Sequence, residues 1–335
     1  MARPVGLDLG TVYTRIWTRD KGIILRCPSA AAIDSQSHEV VALGVEAKKM
    51  LGKTPENILA YRPVKDGVIA DYEVAARMLN EFFFRKGLST LFNRPVVLLA
   101  TPYRITEVER LAVENAVFDA GARAVAEVPA AMAAAAGAGL RISGSRGCMI
   151  VDMGGGTTEA AVISSGGMIS ARSLRVGGER IDMAIVNYLK SRYDLLVGDS
   201  TAEMLKLRLG TANPSIRRGE MEVYGRNVRT GLAATAVVES RQICEAITPS
   251  LDAIARALMM TLEDVPPEIA GDIYTYGMML CGGGSLLPGL PEFLHNRTGL
   301  RVTVAKNPLD CVCLGLGRIL EHPELLGERP EYRIK

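Results

Sequence analysis

Two short stretches far apart in the chain share one design, and this repeat constrains the fold more than any other feature. VGLDLGT at residues 5 to 11 and MIVDMGGGT at 149 to 157 each run an apolar strand into an aspartate, then turn through glycine to a threonine. A strand ending this way offers backbone N–H groups and a hydroxyl to whatever lies beyond it, which suits a phosphate. Asp8 and Asp152 cannot touch phosphate without repulsion, so their natural task is to hold Mg2+ through its waters, because magnesium keeps most of its hydration shell. Either copy alone reads equally well as an ordinary tight turn. As a pair, they imply a duplicated chain whose halves face one another across a ligand-binding cleft.

A third turn follows in MMLCGGGSLLPGL, where Gly282, Gly283 and Gly284 let the backbone approach a flat ligand before a short helix begins. Between the second and third turns, TAEMLKLRLG places Glu203 and Lys206 on one side of a helix, within reach of a ribose and an adenine edge. Taken alone, such an i, i+3 pair is commonly a surface ion pair worth about 0.2–0.5 kcal/mol.

The rest of the chain supplies an α/β frame for these turns. Strand patterns recur at Val5 to Leu9, Thr14 to Trp17, Ile23 to Arg26, Val96 to Ala100, Met149 to Asp152, Ala160 to Ile163 and Met278 to Cys281. Helical patterns alternate with them. YEVAARMLNEFFFRKG carries Val74, Ala75, Met78, Leu79, Phe82 and Phe83 on one face and stops at Gly87, and TEVERLAVENAVFDAGA opens with the capping-box spacing Thr106 to Glu109. No Pro/Gly/Ser-rich linker divides the halves. The expected boundary falls just before the second copy of the repeat, giving one lobe at 1–143 with a small subdomain inserted around 30–70, and a second at 144–335 with one around 182–245.

Composition removes several other classes. Among 335 residues the formal net charge is +2 without a long basic block, so no nucleic-acid partner is expected. No run reaches about 18 apolar residues, and MARPVGLDLGT leads straight into a strand, so a cytoplasmic location is expected. The six cysteines form no CxxC pair and read as free core thiols, and three isolated histidines supply neither a zinc site nor a nucleophile relay. Chemistry is left to carboxylates, glycines and hydroxyls.

With three glycine turns in this order, the sequence resembles the superfamily of sugar kinases, heat-shock chaperones and actin. Longer segments narrow the resemblance to the MreB family of bacterial actins: CPSAAAIDSQSHEVVALGVEAKKMLGKTPENILAYRPVKDGVIADYEVAARML, SLRVGGERIDMAIVNYLKSRY, DSTAEMLKLRLG, VPPEIAGDI and AKNPLDCV. The resemblance covers nearly the whole chain and implies an actin-like, duplicated ribonuclease H-like fold of two lobes with ATP and Mg2+ in the cleft. It further implies head-to-tail polymerisation into paired filaments at the inner face of the cell membrane, in company with the proteins of cell-wall elongation.

Carried over position by position, Thr11, Val12 and Tyr13 match the first phosphate turn and Gly154, Gly155, Gly156 and Thr157 the second. Glu203, Met204, Leu205 and Lys206, with Gly283, Gly284, Ser285 and Leu286, match the adenosine side. The loop holding Leu91 and Phe92 matches one that dips into the inner leaflet, although both side chains would fit equally well folded back on the protein.

Two positions depart from the family pattern. The first turn usually reads Asp-Leu-Gly-Thr-Ala-Asn-Thr, whereas Val12 and Tyr13 stand here, and a tyrosine reshapes the phosphate edge. The family also carries Glu-Glu-Pro-Met-Ala-Ala-Ala, whose acid before the proline orients the attacking water. Pro129, Ala130 and Ala131 replace that Glu-Glu-Pro, and Glu127 lies three residues before Ala130. The expectation is an ATP-binding filament protein that is a slow ATPase at best, with Asp152 left to position metal and water. The competing readings are a small-molecule kinase of the same superfamily and a nucleotide-binding scaffold that does not polymerise.

Overall fold

The repeat in sequence is also a repeat in topology. The structure, a computed structural model, describes residues 3–89 and 94–335. The first sheet runs in the order Arg333–Ile334, Ala124–Pro129, Val96–Thr101, Pro4–Leu9, Tyr13–Thr18 and Gly22–Pro28. The second runs Gly167–Leu174, Thr158–Ser164, Cys148–Met153, Met278–Cys281 and Val302–Val304. In each, the strand bearing the repeat opens an antiparallel meander on one side and pairs in parallel with a later strand on the other.

Alternation along these strands decides what each face meets. Val5, Leu7 and Leu9 enter a core shared with the Tyr72–Arg85 and Glu107–Asp119 helices, which cover the outer face of the first sheet. Met149, Val151 and Met153 enter the corresponding outer core of the second, with the Gly178–Tyr193 and Ser240–Glu263 helices. Gly6 and Asp8, like Ile150 and Asp152, therefore face inward.

Two helices fill the space between the sheets, and their composition follows from how closely they pack. Ala130–Ala138 and Cys311–Glu321 share one core with Leu98, Val128, Ile150 and Ile163 from both sheets. A Cβ on Gly137 would overlap the carbonyl of Cys311, and one on Gly315 would overlap that of Ala133. The alanine run thus serves close backbone contact and high helix propensity together. The helix ends at Gly139, whose φ of 87° is the left-handed conformation glycine adopts at low cost.

Several sequence expectations appear as drawn, including the capping box at Thr106 and Glu109 and the buried face of the Tyr72–Arg85 helix. Each half also carries a three-stranded sheet, Val40–Leu43, Ala31–Asp34 and Ile58–Tyr61 in one, Leu195–Leu196, Glu220–Asn227 and Ala233–Glu239 in the other. The C-terminal segment crosses back: the Cys311–Glu321 helix packs on Pro4–Leu9 and Tyr13–Thr18, and Arg333–Ile334 extends the first sheet. The expected membrane loop at Leu91 and Phe92 lies outside the described residues.

Candidate functional site

The glycine turns meet at the mouth of a cleft with a cavity volume of about 450 Å³, a usual size for a small-molecule site. The first turn is tight because the Gly10 N–H donates to the Tyr13 carbonyl at 3.2 Å. In the second, the Gly154 N–H donates to the Thr157 carbonyl at 2.8 Å, and the Gly178 and Glu179 N–H groups donate to Gly154 and Gly155. The turns touch: a Cβ on Gly155 would overlap the Val12 side chain, and one on Gly156 would lie 2.7 Å from Thr11 Oγ1. The third turn begins at Gly282, where a Cβ would stand 2.5 Å from Asp152 Oδ1 and φ is 76°. Only glycine meets both demands there.

Asp8, Thr11, Val12, Tyr13, Ala130 and Asp152 line this cleft, as do Gly154 to Thr157, Glu203, Lys206, Gly283, Gly284 and Leu286. Three other expected residues do not. Leu205 is fully buried in the outer core, because helical spacing turns it away from the face that carries Glu203 and Lys206. Met204 is not part of the wall either, and Ser285 is buried with its hydroxyl donating to the Gly282 carbonyl at 2.7 Å, so it closes the turn instead of facing a ligand.

Lys206, Asp182 and Glu203 in the wall are already engaged. Lys206 pairs with Asp182 at 2.8 Å and donates to the Gly178 carbonyl at 3.0 Å, while Glu203 lies 3.7 Å from Lys48, so the two do not pair with one another. Burial raises the Asp182 carboxyl to about 6 against the opposing pull of Lys206. Tyr13 lies on the lip, with the Arg15 guanidinium 5.6 Å and the Lys48 ammonium 5.5 Å from its ring centroid, so it acts as a platform for two cations. Arg62 and Glu179 join the two halves by a 2.7 Å salt bridge, which at its partial exposure contributes on the order of 1 kcal/mol or less.

The two aspartates of the repeat differ. Asp8 is salt-bridged to Arg15 at 3.2 Å, and burial pushes its carboxyl upward more than Arg15 pulls it down. Asp152 has no such salt bridge among the described residues and is raised to about 6, first by burial and then by the charge of Asp8. Its cross-strand partner is Glu159, a cleft residue raised to about 7 by burial and by Asp152. Hard oxygen donors in this state fit a divalent cation held through water and ligand phosphate. Among the described residues no three or more His, Cys, Asp or Glu cluster as a metal cage.

Glu127 stands elsewhere. Period-2 alternation in Ala124–Pro129 points Ala126 and Val128 toward the middle helices and Val125 and Glu127 to the other face, beside the Glu107–Asp119 helix. Its carboxylate accepts from Thr101 Oγ1 at 3.5 Å and adjoins Glu114 and Arg110, so it is not in the cleft wall. Sequence reasoning missed Arg15, Arg62, Glu159, Glu179 and Asp182. The recoverable signal was the repeat itself, since Arg15 and Glu159 occupy matching places after Asp8 and Asp152.

A duplicated sheet, two helices between the copies and facing glycine turns over a cleft define an actin-like protein. Solved structures agree in fold: MreB5 of Spiroplasma citri bound to ADP matches with a TM-score of 0.92 at 34% identity over 97% of this chain and 98% of that one. The same protein bound to AMPPNP also matches at 0.92. A MamK double helical filament matches at 0.81 with 18% identity, over 96% of this chain and 99% of that one.

The chain belongs to the MreB/Mbl family. The sequence profile described as MreB/Mbl protein matches residues 2–328. The cell shape-determining protein Mbl of Bacillus subtilis (strain 168) is 42% identical over 98% of both chains. The cell shape-determining protein MreB of Escherichia coli (strain K12) is 45% identical over 96% of this chain and 94% of that one.

Proposed function

We propose that this chain is a cell shape-determining, ATP-binding filament protein. The observation that carries the reading is the contact of the Val12 turn with the Gly155 turn over Asp152, which gives one polyphosphate two sets of backbone donors from opposite sides. Relatives named for cell shape, a neighbour bound to ADP or AMPPNP and a neighbour in a double helical filament support it. Thr11, Val12, Tyr13 and Gly154 to Thr157 hold the phosphates, and Glu203, Lys206, Gly283, Gly284 and Leu286 border the nucleoside. When bound, Mg2+ neutralises phosphate charge, with Asp152 and its waters as the chief protein contact and Asp8 in support.

Lobes at 1–143 and 144–335 close on the nucleotide, and closure sets the geometry of head-to-tail contacts. Hydrolysis is slow because Ala130 brings no acid to the cleft. Filaments lie at the inner face of the membrane through Leu91 and Phe92. One Leu and one Phe gain at most about 1.5–3 kcal/mol each, so firm binding needs the many copies a filament presents, and partners of the elongation machinery join it there.

The test is co-sedimentation with and without ATP, followed by microscopy of the pellet and flotation with liposomes of anionic lipid. ATP-dependent filaments that float with liposomes, and that stay in the aqueous fraction as Leu91→Ser/Phe92→Ser, are expected. A chain that binds ATP and remains monomeric would make it a scaffold, and equal flotation of the double variant would remove the membrane loop.

A further inference from the structure

The cleft lacks an acid at position 130, yet a carboxylate stands beside that position on a different element. Glu159 belongs to the Thr158–Ser164 strand, lines the cleft with Ala130 and Asp152, and is only 4% exposed. Its Oε1 is fixed by two donors, the Tyr103 N–H at 3.1 Å and Ser173 Oγ at 3.4 Å. The N–H of Ala131, in the first turn of the Ala130–Ala138 helix, favours its charged form from close by. Its Oε2 is buried and has no hydrogen-bond partner among the described residues.

A buried carboxylate oxygen without a partner is costly, and native structures rarely keep one unless something else completes it. One oxygen clamped and the other free is the arrangement that holds a water in a fixed direction. Tyr103 follows the Val96–Thr101 strand of the first sheet and Ala131 lies in the first turn of a middle helix, while Glu159 comes from the second sheet. The carboxylate is therefore locked where the two halves meet, at the cleft position that Ala130 leaves apolar.

We propose that Glu159 orients the attacking water for ATP hydrolysis, through Oε2, in place of an acid at position 130. The inference rests on the ATP-binding reading of the cleft. Oε2 accepts a hydrogen bond from the water, whose oxygen lone pair forms the new bond to the γ-phosphorus. The bond from that phosphorus to the bridging oxygen breaks, and its electron pair leaves on ADP. One water proton stays on the attacking oxygen and the other passes to a phosphoryl oxygen, giving ADP and dihydrogen phosphate. Slow turnover follows, because a carboxylate already shared with Tyr103 and Ser173 is a weak acceptor for water.

The test measures ATP affinity and phosphate release separately on the full chain. Glu159→Gln keeps the side-chain shape and an oxygen for the Tyr103 N–H, and is expected to bind ATP within about twofold of the parent while phosphate release falls about 10²-fold. Adding Ala130→Glu to Glu159→Gln is expected to restore release, which no loss of folding would allow. Unchanged release in Glu159→Gln overturns the proposal, as does a parent that binds ATP but releases no phosphate. Joint loss of affinity and release without rescue marks a structural role and also overturns it. A parent that binds no ATP at all instead overturns the reading of the cleft, and this proposal with it.

Discussion

The two halves of the molecule place the same aspartate near the end of the same strand and give it opposite neighbours. Asp8 pairs across its hairpin with Arg15, and Asp152 pairs across its own with Glu159. Arg15 bridges Asp8 at 3.2 Å and Asp310 at 3.3 Å, and Arg26 holds Asp310 through two nitrogens, so charge around Asp8 is balanced within the protein even though burial still raises its carboxyl. In the second half two buried carboxyls face each other, and both are pushed upward, Asp152 to about 6 and Glu159 to about 7. Duplicating a backbone has not duplicated its electrostatics. The half left unbalanced is the one with a use for a cation from outside, since an opposite charge nearby favours the ionised form of both carboxyls.

Asp152→Asn breaks that asymmetry most directly. Burial raises this carboxyl from 3.8 to about 6, so the stability it contributes is present below about pH 3.8 and is lost as pH rises through 6. Above that, the ionised group burdens the empty fold. The asparagine form is therefore expected to melt roughly 2–4 °C higher without nucleotide at about pH 7.5. It is also expected to bind Mg–ATP about 10²-fold more weakly, or about 2.7 kcal/mol. Thermal melts and binding titrations with Mg2+ or a chelator read both. Undiminished, magnesium-dependent affinity would show that Asp152 does not meet the metal.

Arg15→Met attacks the balanced half and should move stability the other way. It strips Asp8 of its cation while Asp310 keeps Arg26, leaving one buried carboxylate unpaired. Removing one partner of a buried pair costs about 3–5 kcal/mol, and the 16% and 15% side-chain exposure here reduces the expectation to about 2 kcal/mol. Adding Asp8→Asn should recover about half of it, a coupling seen in a double-mutant cycle. Strictly additive losses would mean that Arg15 acts through Asp310 and packing, and the contrast between the halves would then rest on Asp152 and Glu159 alone.

What was legible in the sequence was local. Glycine turns announce themselves within a few residues, because positive φ or close backbone contact leaves few alternatives, as at Gly156 and Gly282. The face of Glu203 and Lys206 followed from helix spacing, and the same spacing should have excluded Leu205. Arg15 and Glu159 were hidden because a charged residue in a strand looks like a solvated one until hairpin register and a second layer are known. Register was nevertheless available: in each half the partner follows its aspartate by seven positions. The stretch 127–139 divides between two elements: Ala124–Pro129 is a strand and the helix starts only at Ala130, so Glu127 obeys period 2 and turns away from the cleft.

That turning away gives the smallest expected effect and the sharpest control. The first half has an acid pair of its own, behind its sheet: Glu127 adjoins Glu114, which Arg110 holds at 3.2 Å and Arg333 at 2.6 Å. Burial first, and then Glu114, raise Glu127 from 4.5 to about 7. A group raised in this way stabilises the fold below about pH 4.5, and the contribution is lost as pH climbs through 7. Glu127→Gln should therefore gain melting temperature over the parent as pH rises from about 5 to 8, by roughly 2 °C at the upper end, as befits less than about 1 kcal/mol in a chain of this size. ATP affinity and phosphate release should match the parent at both pH values, because the side chain is outside the cleft wall. A fall in release at constant affinity would mean that Glu127 reaches the water after all, and that the first half, not Glu159 in the second, supplies the orienting acid.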